Sequence, residues 1–111
     1  MQIEKEQHGA IRLIRLAGRL DAATSDSVQT AMVKQLDADG ALAIDLSELE
    51  YVSSAGLRVL LLAQKKLAAA KQKMAVFGLK EYIHEIFEIA GFSAILTIVE
   101  SEEAALKELN G

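Results

Sequence analysis

Short apolar runs alternate along this chain with longer segments in which apolar residues recur every three or four positions. Residues 41–46 are almost continuously apolar, which is typical of a strand buried on both faces of a parallel sheet. Ahead of that run, Val28, Ala31, Met32 and Leu36 share one face of a helix. Strands that alternate with helix-length spacers predict βαβ units and a mostly parallel sheet.

The complete pattern predicts an α/β fold with the element order ββαβαβαβα. The first two strands and a turn at His8-Gly9 predict an antiparallel hairpin. The predicted strands are residues 3–7, 11–16, 41–46, 74–77 and 95–99. The predicted connections are a short extended link at 18–21, a loop at 37–40 and a polar link at 47–50. The predicted N-caps are Thr24 or Ser25 for the first helix, Ser53 or Ser54 for the second and Ser101 for the last. Gly91 is predicted to follow the end of the third helix.

Length and composition exclude several functional classes. A chain of 111 residues predicts one domain, residues 1–111, with an ordinary core. A net charge of −4 repels a phosphate backbone, so we expect no nucleic-acid partner. With no Cys and two His, we expect no metal and no cofactor. The polar start and the lack of a long apolar run predict a cytoplasmic protein without direct membrane insertion.

No enzyme motif stands out in the sequence. The phosphate-binding loop, the dinucleotide fingerprint, the HExxH zinc motif and the GxSxG nucleophile motif are all missing. A hydrolase built on Ser54 and His84 is an alternative, but His84 lies on the polar side of a predicted helix. We therefore expect no catalytic residue.

The segment Ser53-Ser54-Ala55-Gly56-Leu57 opens the second helix. The simplest role for Ser54 is an N-cap, worth about 0.5–2 kcal/mol over Ala. Gly56 is unexpected there, since glycine inside a helix costs up to about 1 kcal/mol relative to Ala. With Ala55 it predicts a helix start open to an approaching group, and the N–H groups at such an end favour anions. A serine here could carry a phosphate that those N–H groups stabilise.

Three segments give the chain a family resemblance: GRLDAAT at 18–24, LAIDLS at 42–47 and YVSSAGL at 51–57. With them the whole chain resembles a STAS domain. Within that family it is most similar to the small stand-alone anti-sigma factor antagonists of bacterial partner-switching systems.

The resemblance implies a regulatory serine two residues before the motif glycine, which is Ser54 here. A serine kinase of the HATPase type, itself the anti-sigma factor, would phosphorylate Ser54, and a PP2C-type phosphatase would reverse the modification. The unphosphorylated protein would bind the kinase and free the sigma factor. Many members carry Asp immediately before the phosphorylated serine. This chain has Ser53 there, which makes Ser53 the alternative acceptor.

We expect the partner to contact residues on both sides of Ser54, because parallel strand ends open on one edge of the sheet. The expected contact residues are Asp21, Thr24, Ser53, Ala55, Gly56, Leu57 and Arg58. Asp21 also fits a capping role at the first helix, and Arg58 also fits a solvated charge. A second function is left open, namely a STAS-type accessory subunit of a transporter complex that acts without phosphorylation.

Overall fold

The computed structural model describes residues 1–36 and 40–110 and contains five strands and four helices in them. The strands are β1 (Gln2–His8), β2 (Ile11–Leu20), β3 (Leu42–Val52), β4 (Met74–Phe77) and β5 (Thr97–Val99). The helices are α1 (Ser25–Leu36), α2 (Ser54–Ala69), α3 (Glu81–Ile89) and α4 (Glu102–Asn110). The strand order is β1-β2-β3-β4-β5; β1 is antiparallel to β2 and the other pairs are parallel. The predicted α/β class and element order are confirmed.

The sheet separates two apolar layers, because successive side chains of a strand point to opposite faces. On one face, Ile14 and Ile44 pack in a core with side chains of α1, α2 and α3. On the other face, Leu13 and Ala43 pack with Ala105 of α4. Three helices therefore cover one face of the sheet and α4 covers the other.

Arg15 joins α4 to the sheet through ion pairs. Its guanidinium contacts Glu6 of β1 at 2.6 Å, Glu102 of α4 at 2.7 Å, and the buried Asp45 of β3. Hydrogen bonds from Arg15 and then His8 lower the pKa of Glu6 below its ordinary value. The first turn of α4 is thus fixed by charge as well as by apolar packing.

Two predicted links are part of the sheet, so these predictions were wrong. The extended link at 18–21 mostly belongs to β2, and the polar link at 47–50 lies inside β3. The two strands stay paired to Leu20 and Val52, with register shifts after Arg15 and Gly18. Each shift breaks the two-residue alternation of side chains, which hides a strand from a periodicity search.

The last predicted strand begins two residues later than expected, because the N–H groups of Ile95 and Leu96 donate to the Phe92 carbonyl in the 3-10 turn Phe92–Ala94 that precedes β5. Gly91 follows α3 at a φ of 80°, and the Ala104 N–H donates to the Ser101 hydroxyl at 3.1 Å, so both predicted boundaries are confirmed. In the predicted loop at 37–40, residues 37–39 lie outside the described residues. None of the helices in the described ranges is long and apolar enough to cross a bilayer.

Candidate phosphorylation and partner-binding site

Ser53 caps α2. Its backbone is extended, with φ −100° and ψ 176°, and its hydroxyl accepts a hydrogen bond from the Gly56 N–H at 3.5 Å. The Leu57 N–H donates to the Ser53 carbonyl at 2.9 Å and begins the helical ladder. Of the two serines proposed as caps, Ser53 takes this position.

Ser54 is the first residue of α2 and is exposed to solvent. Its hydroxyl has no hydrogen-bond partner within the described part of the chain. The neighbouring serines therefore differ in their accessibility and bonding. Ser53 is half-buried and its hydroxyl is used by the helix, whereas Ser54 is exposed and its hydroxyl makes no such bond.

Gly56 is buried and faces the end of β2. A Cβ atom at this position would lie 2.6 Å from Leu20 Cγ and 2.7 Å from the Leu20 carbonyl oxygen. Glycine is thus needed so that α2 can approach β2 closely. The sequence predicted that this glycine opens the helix start to solvent. The structure shows that it packs inward, so that expectation was wrong, and the accessible positions are Ser54 and the half-buried Ala55.

The turn between β2 and α1 adjoins the start of α2. The Ser53 N–H donates to the Leu20 carbonyl at 2.9 Å, which places Asp21 beside the serine segment. The Asp21 carboxylate accepts from the N–H groups of Ala23 at 3.0 Å and Thr24 at 3.2 Å, and the Thr24 hydroxyl donates to a β2 carbonyl at 2.7 Å. Asp21 therefore orders the entry to α1, as its capping role predicted.

The charge of Asp21 is favoured by this turn. Partial burial by itself would raise the pKa of Asp21. Hydrogen bonds from the N–H groups of Ala23 and Thr24 and from the Thr24 hydroxyl, with the nearby Arg19 guanidinium, lower it below its ordinary value. Asp21 is thus an anion beside the serine segment at neutral pH.

Ser54, Ala55 and Arg58 lie together in a pocket between the first turns of α1 and α2. The α1 wall of this pocket includes Asp26 and Gln29, which the sequence did not assign to the site. The sequence did contain a signal for these two residues, because the predicted α1 and α2 both follow strands whose carboxyl ends share one edge of the sheet. Ser53, Gly56 and Leu57 are half-buried or buried and shape this helix start from within.

The first turn of α2 lacks an acidic residue. Among the four helices of the described ranges it is alone in this, since α1 has Asp26, α3 has Glu81, and α4 has Glu102 and Glu103. Acidic side chains in a first turn interact favourably with the positive end of the helix dipole. At α2 that interaction is left available to an anionic group from elsewhere.

A hydrolase site built on Ser54 and His84 is not assembled. His84 is on α3, beside a pocket lined by Leu79, Glu81, Ile98 and other residues near the end of β5, and its Nδ1 lies 3.4 Å from Glu88. Ser54 lines a different pocket between α1 and α2. Because His84 pairs with a carboxylate of its own helix, no base is brought to the Ser54 hydroxyl by this arrangement.

Comparisons with known proteins agree with this architecture. The STAS domain model matches residues 2–105. The anti-sigma-B factor antagonist of Listeria monocytogenes is 37% identical over 99 residues, covering 88% of this chain and 83% of the relative. The anti-sigma F factor antagonist of Paenibacillus polymyxa is 32% identical over 111 residues, covering 98% and 95%.

Solved structures show the same fold. The Bacillus anti-sigma factor antagonist SpoIIAA superposes with a TM-score of 0.77 in its unphosphorylated form and 0.74 in its phosphorylated form, at 17% identity. The superposition on the unphosphorylated form covers 99% of both chains. The superposition on the phosphorylated form covers 96% of this chain and 98% of SpoIIAA. This chain belongs to the STAS-domain family, and the two relatives described above are anti-sigma factor antagonists.

Proposed function

We propose that this chain is an anti-sigma factor antagonist that is switched by phosphorylation at Ser54. Its unphosphorylated form binds a serine-kinase anti-sigma factor of the HATPase type. Phosphorylation releases the complex, and a PP2C-type phosphatase resets the protein. The observation that carries the proposal is that Ser54 is exposed, at a helix start without acidic side chains, and that its hydroxyl makes no hydrogen bond in the described part of the chain.

The physics of this helix start supports the switch. A phosphate adds about −1.5 to −2 charge at pH 7. Within the folded protein, the N–H groups and the dipole of α2 favour that charge. In a protein interface centred on Ser54, the same charge has to be desolvated. A loss of about 3–4 kcal/mol of binding free energy weakens an affinity several hundred-fold, so release needs no large change of shape.

The partner supplies the chemistry of phosphoryl transfer. Transfer from ATP requires a nucleotide site, a metal ion and a residue that orients the attacking hydroxyl. This chain provides the hydroxyl, and its sequence has no phosphate-binding loop motif. Asp21, Thr24, Ala55 and Arg58 then form the contact surface around Ser54, while Ser53, Gly56 and Leu57 hold the helix start in place.

Site mapping tests this assignment. Purified wild-type protein is incubated with each HATPase-type serine kinase of its host and Mg-ATP, and its intact mass is measured. We expect one phosphate on the wild type, one on Ser53→Ala and none on Ser54→Ala. Stoichiometric phosphorylation of Ser54→Ala would refute the site, and phosphate lost only from Ser53→Ala would move it to Ser53.

The accessory-subunit alternative makes the opposite prediction. A constitutive subunit of a transporter complex would be recovered from its host with a membrane ATPase and would carry no phosphate. Isolation of the tagged protein, followed by measurement of its mass and identification of its partner, separates the two functions.

A further inference from the structure

One exposed stripe of α2 runs away from Ser54 along a groove. Ser54, Arg58 and Leu62 follow each other at four-residue spacing, which places them on the same side of a helix, and Lys65 and Lys66 continue that side. Leu62 is 46% exposed and is the only exposed leucine among the side chains that the structure describes. This stripe combines the candidate phosphorylation site, an apolar side chain and three cations.

Helix α1 forms the opposite wall of the groove. The polar pocket at Ser54 and an apolar depression farther along share Gln29 and Val59, so the two form one continuous groove. The apolar part measures about 410 Å³. Val33 of α1, which is 37% exposed, lines it together with Leu62 of α2. Two exposed aliphatic side chains therefore line one depression, which is typical of a surface that a partner covers.

The charges along the groove indicate the chemistry of that partner. Lys65 and Lys66 line the apolar part, and Arg58 lines the polar part. Among the described residues that line the groove, Asp26 is the acidic one, and it lies at the Ser54 end. The chain as a whole carries a net charge of −4, so this cationic edge differs from the protein's overall charge. An apolar centre with a cationic edge is complementary to a segment with apolar and acidic faces.

We infer that the α1–α2 groove binds an acidic amphipathic helix of the serine-kinase anti-sigma factor. The apolar side chains of that helix pack against Val33 and Leu62, and its carboxylates face Lys65. This inference rests on the proposed function, because it names the part of the kinase that lies beside Ser54. A groove of this kind between two helices is a recurrent docking mode for amphipathic helices.

The position of Ser54 at one end of the groove connects docking to the switch. A phosphate there adds negative charge near Asp26, in a groove whose inferred occupant is also acidic. Repulsion between these charges acts on the partner and leaves the fold of this chain unchanged. Arg58, four residues from Ser54, lies between the phosphate and the apolar depression.

Binding measurements with charge-reversing variants test the inference. The kinase is supplied with Mg²⁺ and a non-hydrolysable ATP analogue, so that Ser54 stays unmodified while the affinity is measured by calorimetry. Leu62→Glu places a charge in the depression, and Val33→Glu does so from the other wall. The matched control is Ile89→Glu, because Ile89 is 88% exposed at the end of α3, outside the groove. Circular dichroism and urea unfolding verify that each variant is folded.

We expect Leu62→Glu and Val33→Glu each to weaken binding at least about 30-fold, and Ile89→Glu less than about 2-fold. Lys65→Glu should weaken binding about 5-fold at low salt and less at high salt, whereas the exposed Lys107→Glu of α4 has no effect. Wild-type affinity of the folded Leu62→Glu and Val33→Glu variants, with binding lost in Ser54→Glu, would overturn the inference and leave the proposed function standing. A wild-type protein that binds none of the host kinases would overturn both.

Discussion

The starts of α2 and α4 have the same layout but different chemistry. Each begins with a serine cap, and the cap accepts from the N–H three residues later, Gly56 in α2 and Ala104 in α4. The residue after the cap is exposed Ser54 in α2, and in α4 it is Glu102, which pairs with Arg15. The positive end of α4 is thus matched by the chain's own carboxylates, whereas that of α2 is not.

This difference separates a structural helix start from a regulatory one. At α4 the acidic side chains, the 3.1 Å cap and the Arg15 cluster all hold the helix on the sheet. At α2 the cap is longer, at 3.5 Å, and the position of the helix depends on close packing of Gly56 against Leu20. The start of α2 can therefore accept a new negative charge without losing an existing contact.

Ser54→Glu gives the largest expected effect, because it gives α2 the first-turn acid that α4 already has. The added carboxylate is favourable for the isolated helix and unfavourable in an interface. We expect stability within about 0.5 kcal/mol of the wild type, and kinase affinity reduced several hundred-fold, equivalent to about 3–4 kcal/mol. Calorimetric titration of the kinase checks this result, with Ser93→Glu at an exposed position as the control. Unchanged affinity of Ser54→Glu would contradict the role of Ser54.

Exchange of the third residue after each cap is expected to destabilise both helices, by different mechanisms. Gly56→Ala places a Cβ 2.7 Å from the Leu20 carbonyl oxygen, so it should lower the free energy of unfolding by about 2–3 kcal/mol despite better helix propensity. Ala104→Gly should cost about 0.5–1 kcal/mol through propensity alone. Urea unfolding measures both. A stabilised Gly56→Ala protein would show that propensity, and not packing, decides this position.

Removal of each cap should give a smaller difference between the two helices. Ser101→Ala loses the shorter hydrogen bond and should cost about 1 kcal/mol, whereas Ser53→Ala should cost about 0.5 kcal/mol. The comparison is made by urea unfolding of the two variants under the same conditions. An equal or larger loss in Ser53→Ala would mean that the α2 cap contributes more than its geometry indicates.

The smallest expected effect concerns acid sensitivity of the Arg15 cluster that anchors α4. The folded-state pKa of Glu6 is lowered from its ordinary value of 4.5. The ion pair of Glu6 with Arg15 therefore contributes its full stability above pH 4.5, and this contribution is lost as the pH falls through the lowered pKa. Glu6→Gln should flatten the decline of stability below pH 4.5, as measured by urea unfolding at several pH values. In an Arg15→Met background the same substitution should have a smaller effect on that slope, because only the contact of Glu6 with His8 then remains, and an undiminished effect would assign the pKa shift to a group other than Arg15.

Much of this architecture could be predicted because its signals are local. The apolar run at residues 41–46, the glycine after α3 and the cap at Ser101 are properties of a few neighbouring residues. The full lengths of β2 and β3 could not be predicted in this way. Their register shifts disturb the alternation of side chains, and their pairing partners are far apart in sequence.

The site was predictable in its position but not in the division of roles within it. The serine segment could be located from its motif, but the choice between Ser53 and Ser54 as the cap depends on backbone angles at the end of β3. The role of Gly56 depends on Leu20, which belongs to another strand. Asp26 and Gln29 are part of the site because α1 and α2 lie side by side in the fold.

The sequence by itself determined the order of elements, the parallel character of the sheet and the presence of a serine-rich helix start, because periodicity and capping are short-range effects. Only the tertiary structure decided which serine is accessible, why a glycine is needed in α2, and that Leu62 and Val33 line the same groove. Those properties depend on distances between segments that the chain brings together on folding, and such distances are not contained in any local pattern.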